Sequence, residues 1–185
     1  GCSDFSFSEF TCCDEKGLEH FALPMEDTKY VIPILKEILA INPAVKIIAA
    51  PWTCPKWMKV KSLEERVPFD SWTSGHLNPE YYRTYGDYFV KRIQAFEKEG
   101  IKIHAVTPQN EPLNHGNSAS LFMGWEEARD FIKTGLGPAF KEAGVTTKIY
   151  VFDHNYNYDN LADQKSYPTK IYDDAEASQY IAGAA

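Results

Sequence analysis

The sequence predicts an α/β protein with a parallel sheet, and three features of the chain support this. Apolar runs alternate with segments of helical periodicity along its 185 residues. The runs are nearly continuous in apolar character, which is typical of parallel strands that are buried on both faces. The connections that enter a run are short and those that leave it are long, as in folds that carry their chemistry at the carboxyl ends of the strands.

Four apolar runs are the candidate strands. They span residues 45–50, 101–107, 148–153 and 180–185. Proline follows the first two runs, at Pro51 and Pro108, and proline cannot continue a hydrogen-bonded strand. A barrel and an open doubly wound sheet both fit this pattern, but no glycine-rich phosphate-binding motif follows any of the runs.

Helices are predicted between the runs. Asn78 before Pro79 is typical of a helix start, and Gly100 is typical of a helix end. Between these ends one apolar stripe recurs at steps of three and four residues. It is formed by Tyr82, Tyr85, Phe89, Ile93 and Phe96. A second helix begins near Trp125 and is predicted to be interrupted near residues 135–138, where two glycines precede a proline.

Composition argues against several kinds of partner. The formal net charge is -7 and no basic run is present, whereas contacts to nucleic-acid phosphates need clustered Lys and Arg. No apolar stretch approaches the ~20 residues of a membrane span. The spacing of Cys2, Cys12, Cys13 and Cys54 fits no zinc site. We therefore expect no nucleic-acid partner, no membrane span, no metal and no cofactor.

Glu111 is the candidate general acid/base, because it follows the second run in the motif Asn110-Glu111-Pro112. Glycoside hydrolysis needs a carboxyl that can donate a proton to the leaving oxygen. We expect a glutamate at a strand end to be partly desolvated among aromatic side chains, which suits that task. Asn110 can hydrogen-bond a sugar hydroxyl next to the reacting carbon. Taken alone, the motif also fits a solvated loop glutamate.

Other strand ends supply candidate sugar-binding residues. Trp52 follows the first run in a proline-rich and therefore stiff loop. Its indole suits stacking on a sugar face, but it could equally close the end of the core. Asp153 and His154 end the third run and offer polar groups to a sugar, although a lone histidine is more often structural. Asp4 is a further candidate strand end.

Short motifs spread over the chain are more specific when taken together. In order, they are Gly1-Cys2-Ser3-Asp4-Phe5-Ser6, Leu23-Pro24, Glu26-Asp27-Thr28-Lys29, Ala50-Pro51-Trp52-Thr53, Tyr88-Phe89-Val90-Lys91, Ala105-Val106-Thr107, Asn110-Glu111-Pro112, Asp130-Phe131-Ile132 and Tyr180-Ile181-Ala182-Gly183. This collinear set strongly resembles glycoside hydrolase family 30, the family of glucosylceramidase. The resemblance implies a (β/α)8 barrel with a side β-domain, and retaining hydrolysis through two glutamates.

The resemblance also assigns the candidate residues to barrel strands. Glu111 becomes the acid/base at the end of the fourth strand, with the preceding asparagine on the sugar. Asp4, at the second strand, and Trp52, at the third, match positions that line the glucose-binding subsite. Asp153 and His154 fall at the end of the fifth strand, where the match is looser.

Part of the implied active site lies outside the chain. In the family the nucleophile glutamate comes from the seventh strand, whereas this sequence corresponds to about strands two to six. We therefore expect residues 1–185 to be the central part of a (β/α)8 catalytic domain, a partial TIM barrel without its flanking strands and side β-domain. A complete barrel typically takes ~250 residues.

Three functions are compatible with the sequence. The first is a retaining β-glycoside hydrolase of glucosylceramidase type, secreted, periplasmic or at the cell surface, acting on a β-linked glucoside or glucan. The second is a carbohydrate-binding, non-hydrolytic relative of the same fold. The third is an unrelated open α/β enzyme in which the motif around Glu111 is coincidental. The choice among glucosylceramide, β-1,6-glucan, xylan and a simple β-glucoside depends on loops and downstream strands.

Overall fold

Four strands form an open parallel sheet in the order in which they follow one another along the chain. They belong to a computed structural model that describes residues 18–19, 21–116, 119–155 and 161–185. The strands in these ranges are β1 (Ile47–Ala49), β2 (Lys59–Val60), β3 (His76–Leu77), β4 (Ile103–Val106), β5 (Lys148–Val151) and β6 (Ile181–Ala184). The sheet has the order β1-β4-β5-β6, and each neighbouring pair is parallel. Each of these four strands lies within one of the predicted apolar runs.

Helices connect the strands of this sheet. They are α1 (Ile32–Ile41), α2 (Tyr82–Lys98), α3 (Trp125–Phe131), α4 (Gly137–Ala143), α5 (Tyr167–Tyr172) and α6 (Ala175–Ser178). Helix α2 follows β1, the pair α3 and α4 follows β4, and the pair α5 and α6 follows β5. This repeat is that of an α/β fold with a parallel sheet, so the predicted fold class is confirmed. Among the described residues the sheet does not close on itself.

Helix α2 has the ends and the buried face that the sequence predicts. The side chain of Asn78 accepts a hydrogen bond from the Glu80 N–H at 3.1 Å, which caps the helical turn that leads into α2. The chain leaves the helix at Gly100, whose φ of +80° suits a residue without a Cβ. The five residues of the predicted apolar stripe are all buried.

The α-helix is interrupted next to the predicted residues 135–138, but by a π-helical turn and not by a break in the helical run. A π-helical turn joins α3 to α4, so that one helical run continues through the two glycines. The glycines serve packing instead of breaking the helix. A Cβ on Gly135 would overlap the carbonyl oxygen of Tyr82, and a Cβ on Gly86 would lie 2.7 Å from the carbonyl oxygen of Gly135. Helix α2 therefore crosses this helical run at close range.

An aromatic cluster fills the space between α2 and α3. Phe131 has no exposed surface, and its ring stacks on that of Tyr85, with 5.4 Å between centroids and 23° between planes. Tyr82 and Phe89 contact the same ring at centroid distances of 5.7 and 6.1 Å. Three of these rings belong to the predicted stripe of α2, so the stripe packs against α3.

Two long loops leave the carboxyl ends of β1 and β4 and pack on each other. The first contains an antiparallel hairpin of β2 and β3. Lys59 in this hairpin is buried, and its Nζ donates to the Ser120 carbonyl of the second loop at 2.9 Å. The Ser120 N–H donates to the Trp72 carbonyl at 2.9 Å, and the Phe122 N–H donates to the Gly75 carbonyl at 3.0 Å. The lopsided loops predicted from the sequence thus form one layer at the carboxyl edge of the sheet.

In the part of the chain that the structure describes, no helix is both long enough and apolar enough to cross a membrane. The same residues contain no group of three or more His, Cys, Asp or Glu that could hold a metal ion. The predicted site residue Asp4 lies outside the described residues.

Candidate active site

The ends of β1, β4 and β5 meet at one edge of the sheet. The N–H of Asn110 donates to the carbonyl of Pro51 at 2.8 Å, and the N–H of Glu111 donates to the carbonyl of Asp153 at 2.7 Å. Asn110 and Asp153 form an isolated parallel bridge beyond the regular strands. Backbone hydrogen bonds therefore bring together Trp52, Glu111 and their neighbours from three successive strands.

The backbone at Glu111 is held in an unusual conformation. Its φ is +42°, in the left-handed region that residues with a side chain rarely adopt. The Asn114 N–H donates to the Glu111 carbonyl at 2.9 Å, and the Met123 N–H donates to the Pro112 carbonyl at 2.8 Å. Such strain persists only where the surrounding contacts over-determine it, and it clusters at functional sites. The chain therefore turns sharply at Glu111 and is fixed on both sides of the turn.

The side chain of Glu111 is exposed, so the expected partial desolvation is wrong for the described residues. The two residues before it, Gln109 and Asn110, are buried and half-buried. Its Oε2 accepts a hydrogen bond from Asn114 Nδ2 at 2.8 Å. An exposed carboxyl that is fixed by one hydrogen bond is open to a ligand above the sheet edge.

Trp52 is open to a ligand and does not close the core, because 41% of its surface is exposed. Its loop is held from below by Gln109, whose Nε2 donates to the Trp52 carbonyl at 2.7 Å and to the Asn110 carbonyl at 2.9 Å. Gln109 is 2% exposed, and sequence reasoning gave it no role. Trp57 is half-buried and packs edge-on against Tyr81, with 5.2 Å between the ring centroids, so its indole contributes to the packing of the loop.

Asp153 is a second carboxyl at this edge. It is half-buried, and the hydroxyl of Thr107 donates to its Oδ2 at 3.3 Å. Burial raises the pKa of Asp153, the negative charge of Glu111 raises it further, and the bond from Thr107 opposes the shift. The negative charge of Glu111 therefore acts on the carboxyl of Asp153 across this edge.

His154 follows Asp153 at the same edge of the sheet and is half-buried. Its Nδ1 accepts the N–H of Asn155 at 2.7 Å, and its ring stacks on Phe152 with centroids 6.0 Å apart. Burial lowers the pKa of His154, although the charges of Glu111 and Asp153 oppose this. A histidine with a lowered pKa takes up less readily the positive charge that would offset the carboxylates.

Replacing Asp153 by asparagine is expected to raise the thermal stability of the protein near pH 7 and to leave it unchanged near pH 3. Because burial raises the pKa of this carboxyl in the folded state, its contribution to stability is fully present below the ordinary aspartate pKa of ~3.9. That contribution is lost as the pH rises through the raised value. Asparagine does not ionise, and its amide oxygen can still accept from Thr107.

Thermal unfolding of the parent and of Asp153→Asn, at about pH 7 and at about pH 3, measures the difference. A variant that is less stable than the parent at the higher pH would contradict the conclusion that burial raises the pKa of Asp153.

A cavity of about 390 Å³ lies between β1, α2 and the segment that precedes α1. Its lining is mainly apolar, with Val31 and Phe96 among the side chains, and it extends to Trp52 at the carboxyl edge. Arg92 and Asp27 form an ion pair of 3.3 Å in its wall. The cavity is also lined by residues of β4, the one strand that pairs with β1 among the described residues.

Comparison with known proteins places the sequence among glycoside hydrolases. A family model described as "Glycosyl hydrolase family 30 TIM-barrel domain" matches residues 1–185. The chain is 34% identical over 191 residues to "Putative glucosylceramidase 4" of Caenorhabditis elegans, and this alignment covers 99% of the chain and 36% of that protein. It is 35% identical over 139 residues to an endo-1,6-beta-D-glucanase of Neurospora crassa, and this alignment covers 75% of the chain and 27% of that protein.

A solved structure is more similar still. The structure of an endo-beta1,6-glucanase aligns with a TM-score of 0.91 and 72% sequence identity, and the alignment covers 100% of this chain and 41% of that one. The chain thus spans about a third or less of the length of these curated relatives, and less than half of the matched structure.

Proposed function

This chain belongs to glycoside hydrolase family 30, and on that premise we propose that it carries the acid/base half of a retaining β-glycosidase active site. One observation carries the proposal. Glu111 and Trp52 are both exposed and follow the ends of β4 and β1, and backbone hydrogen bonds between the ends of β1, β4 and β5 hold them at the same edge of the sheet. An aromatic face and a fixed carboxyl are the two things that a site needs to bind a sugar ring and protonate the bond next to it.

The proposed reaction has two steps. In the first, the proton of Glu111 moves to the glycosidic oxygen, the bond from that oxygen to the anomeric carbon breaks, and a nucleophilic carboxylate binds the anomeric carbon. In the second, Glu111 takes a proton from water, whose oxygen displaces the nucleophile. Asn110 is proposed to hold a hydroxyl next to the reacting carbon, Trp52 to stack on the ring, and Asp153 and His154 to bind further hydroxyls.

The nucleophile is proposed to come from a strand outside this chain. A retaining enzyme needs a second carboxylate about 5–5.5 Å from the first. Asp153 is the other carboxyl described at this edge, but burial raises its pKa and Thr107 binds its Oδ2, and a nucleophile must be readily ionised. We therefore infer that the second carboxylate is a glutamate from another part of the full-length protein.

Residues 1–185 are accordingly proposed to be the central part of a (β/α)8 catalytic domain, completed by further strands and by a side β-domain. The outer edges of β1 and β6 pair with no strand among the described residues. Large apolar side chains on and near β1 and α1 are also exposed, namely Ile34, Ile38, Ile41 and Ile48. Open edges and exposed apolar groups are what a sheet shows when its neighbours in a closed barrel are taken away.

The substrate is proposed to be a β-linked glucan, with the β-1,6 linkage as first choice. The 72% identity to a structure described as an endo-beta1,6-glucanase supports this, while the match to a putative glucosylceramidase makes a β-glucosyl lipid the second choice. A glucan polymer does not cross a lipid bilayer unaided, so we propose that the enzyme works outside the cytoplasm, secreted, in the periplasm or at the cell surface.

A substrate panel tests this proposal on the full-length protein. We expect reducing ends to be released from β-1,6-glucan, with little or no release from β-1,4-xylan, and a smaller rate on glucosylceramide. Release from xylan alone would contradict the substrate. Binding of β-1,6-glucan without any release of reducing ends would favour the non-hydrolytic alternative instead.

A further inference from the structure

Asn114 contacts the candidate acid/base directly, three residues further along the chain. Its Nδ2 donates to Glu111 Oε2 at 2.8 Å, and its Oδ1 accepts the N–H of Gly116 at 2.8 Å. Its own N–H donates to the Glu111 carbonyl at 2.9 Å. The orientation of the side-chain amide follows from these partners. If the amide were flipped, its NH2 would face the N–H of Gly116 and its oxygen would face a carboxylate.

We propose that Asn114 is a positioning residue that holds the carboxyl of Glu111 in one orientation and leaves Oε1 as the oxygen that transfers the proton. This inference rests on the proposed function. An oxygen that accepts an N–H bond carries the negative charge of the carboxylate more readily than the other oxygen does. The proton therefore resides on Oε1 in the acid form and returns to Oε1 when Glu111 acts as a base.

The need for such a residue follows from the exposure of Glu111. An exposed glutamate side chain samples several rotamers, whereas proton transfer requires one position within hydrogen-bonding reach of the glycosidic oxygen. The backbone turn at Glu111 fixes only the Cα and Cβ. Asn114 fixes the far end of the side chain, and its own far end is fixed by the backbone of Gly116. The carboxyl of Glu111 is thus held in one orientation by a side chain that is itself held by the backbone.

Asn114→Asp in the full-length enzyme is the sharpest test. The variant has nearly the same shape, and its carboxylate can still accept the N–H of Gly116, but it cannot donate to Glu111 and places a negative charge beside it. We expect kcat/KM on a β-1,6-glucan oligosaccharide to fall about 10- to 100-fold, because misplacing a catalytic group has an effect of this size. With a dinitrophenyl β-glucoside, whose leaving group needs no proton, kcat/KM is expected to change less than about threefold.

Asn42→Asp is the matched control. The side-chain oxygen of Asn42 accepts the N–H of Ala44, two residues later, at 3.0 Å. This is the same kind of contact as the one between Asn114 and Gly116. It lies in the connection that enters β1 and not at the carboxyl edge of the sheet. This variant is expected to keep both kcat/KM values. If Asn114→Asp does not fold, as judged by circular dichroism and thermal unfolding, Asn114→Ala replaces it, and the same selective loss is expected.

Equal losses on the two substrates, or no loss on either, would overturn the positioning role. Glu111→Gln, assayed in parallel, separates this inference from the proposed function. If that variant also lacks a selective loss on the unactivated substrate, the acid/base assignment itself fails. If Glu111→Gln shows the selective loss and the Asn114 variants do not, only the positioning role fails.

Discussion

Replacing Glu111 by glutamine in the full-length enzyme is expected to lower kcat/KM on an unactivated β-glucoside by about 10²- to 10⁴-fold, the usual contribution of a general acid. Glutamine keeps the size of the side chain and can still hydrogen-bond, but its amide cannot donate a proton to a departing oxygen. Formation of the glycosyl-enzyme from a dinitrophenyl β-glucoside should be nearly unchanged, because that leaving group departs as a stable anion.

Glu97→Gln provides the control for this comparison. Glu97 is exposed near the end of α2, in the connection that enters β4 and away from the carboxyl edge of the sheet. Its neutralisation should change kcat/KM on either substrate by less than about twofold, because most surface substitutions have small effects. Steady-state kinetics on the two substrates, with a pre-steady-state burst for the activated one, measure the effect. An equal loss of kcat/KM on the activated and the unactivated substrate would show that Glu111 is not the acid/base.

The largest expected effect on stability comes from Phe131→Ala. The ring of Phe131 has no exposed surface and contacts Tyr82, Tyr85 and Phe89 of α2. Truncation removes these contacts and leaves a cavity that a close-packed helix pair cannot fill. The free energy of unfolding should fall by about 3–5 kcal/mol.

Denaturant unfolding of the full-length protein measures this loss, and Tyr172→Ala serves as the comparison. Tyr172 lies at the end of α5 and is 39% exposed, so its truncation should cost less than about 1 kcal/mol. A loss below about 1 kcal/mol for Phe131→Ala would mean that the aromatic cluster does not hold α3 against α2.

The sequence predicts best those elements whose signals are local. The start of α2 at Asn78, its apolar stripe and its end at Gly100 all depend on residues within one helix, and all are present. For the π-helical turn between α3 and α4 the sequence predicted an interruption but not its form, for the opposite reason. Its glycines are typical of a break when read locally, but their role is the close crossing with α2, which depends on residues almost fifty positions away.

The same distinction applies to the site. Glu111, Trp52 and Asp153 could be found because each follows a strand, and the carboxyl ends of parallel strands share one edge. Gln109 and Asn114 were missed because no periodicity marks a residue whose role is a single hydrogen bond to a neighbouring loop or carboxyl. Asn114 precedes a glycine by two residues, which is a turn signal, but nothing in that signal indicates the contact with Glu111.

The stereochemistry of the azide product of Glu111→Gln tests the central claim most directly. When the acid/base is absent, a small anion can attack the glycosyl-enzyme without deprotonation, whereas water cannot. Added azide should therefore restore turnover of a dinitrophenyl β-glucoside by Glu111→Gln, and the product should be the β-glycosyl azide. An α-glycosyl azide would identify Glu111 as the nucleophile. If azide does not restore turnover, Glu111 has neither role in the reaction.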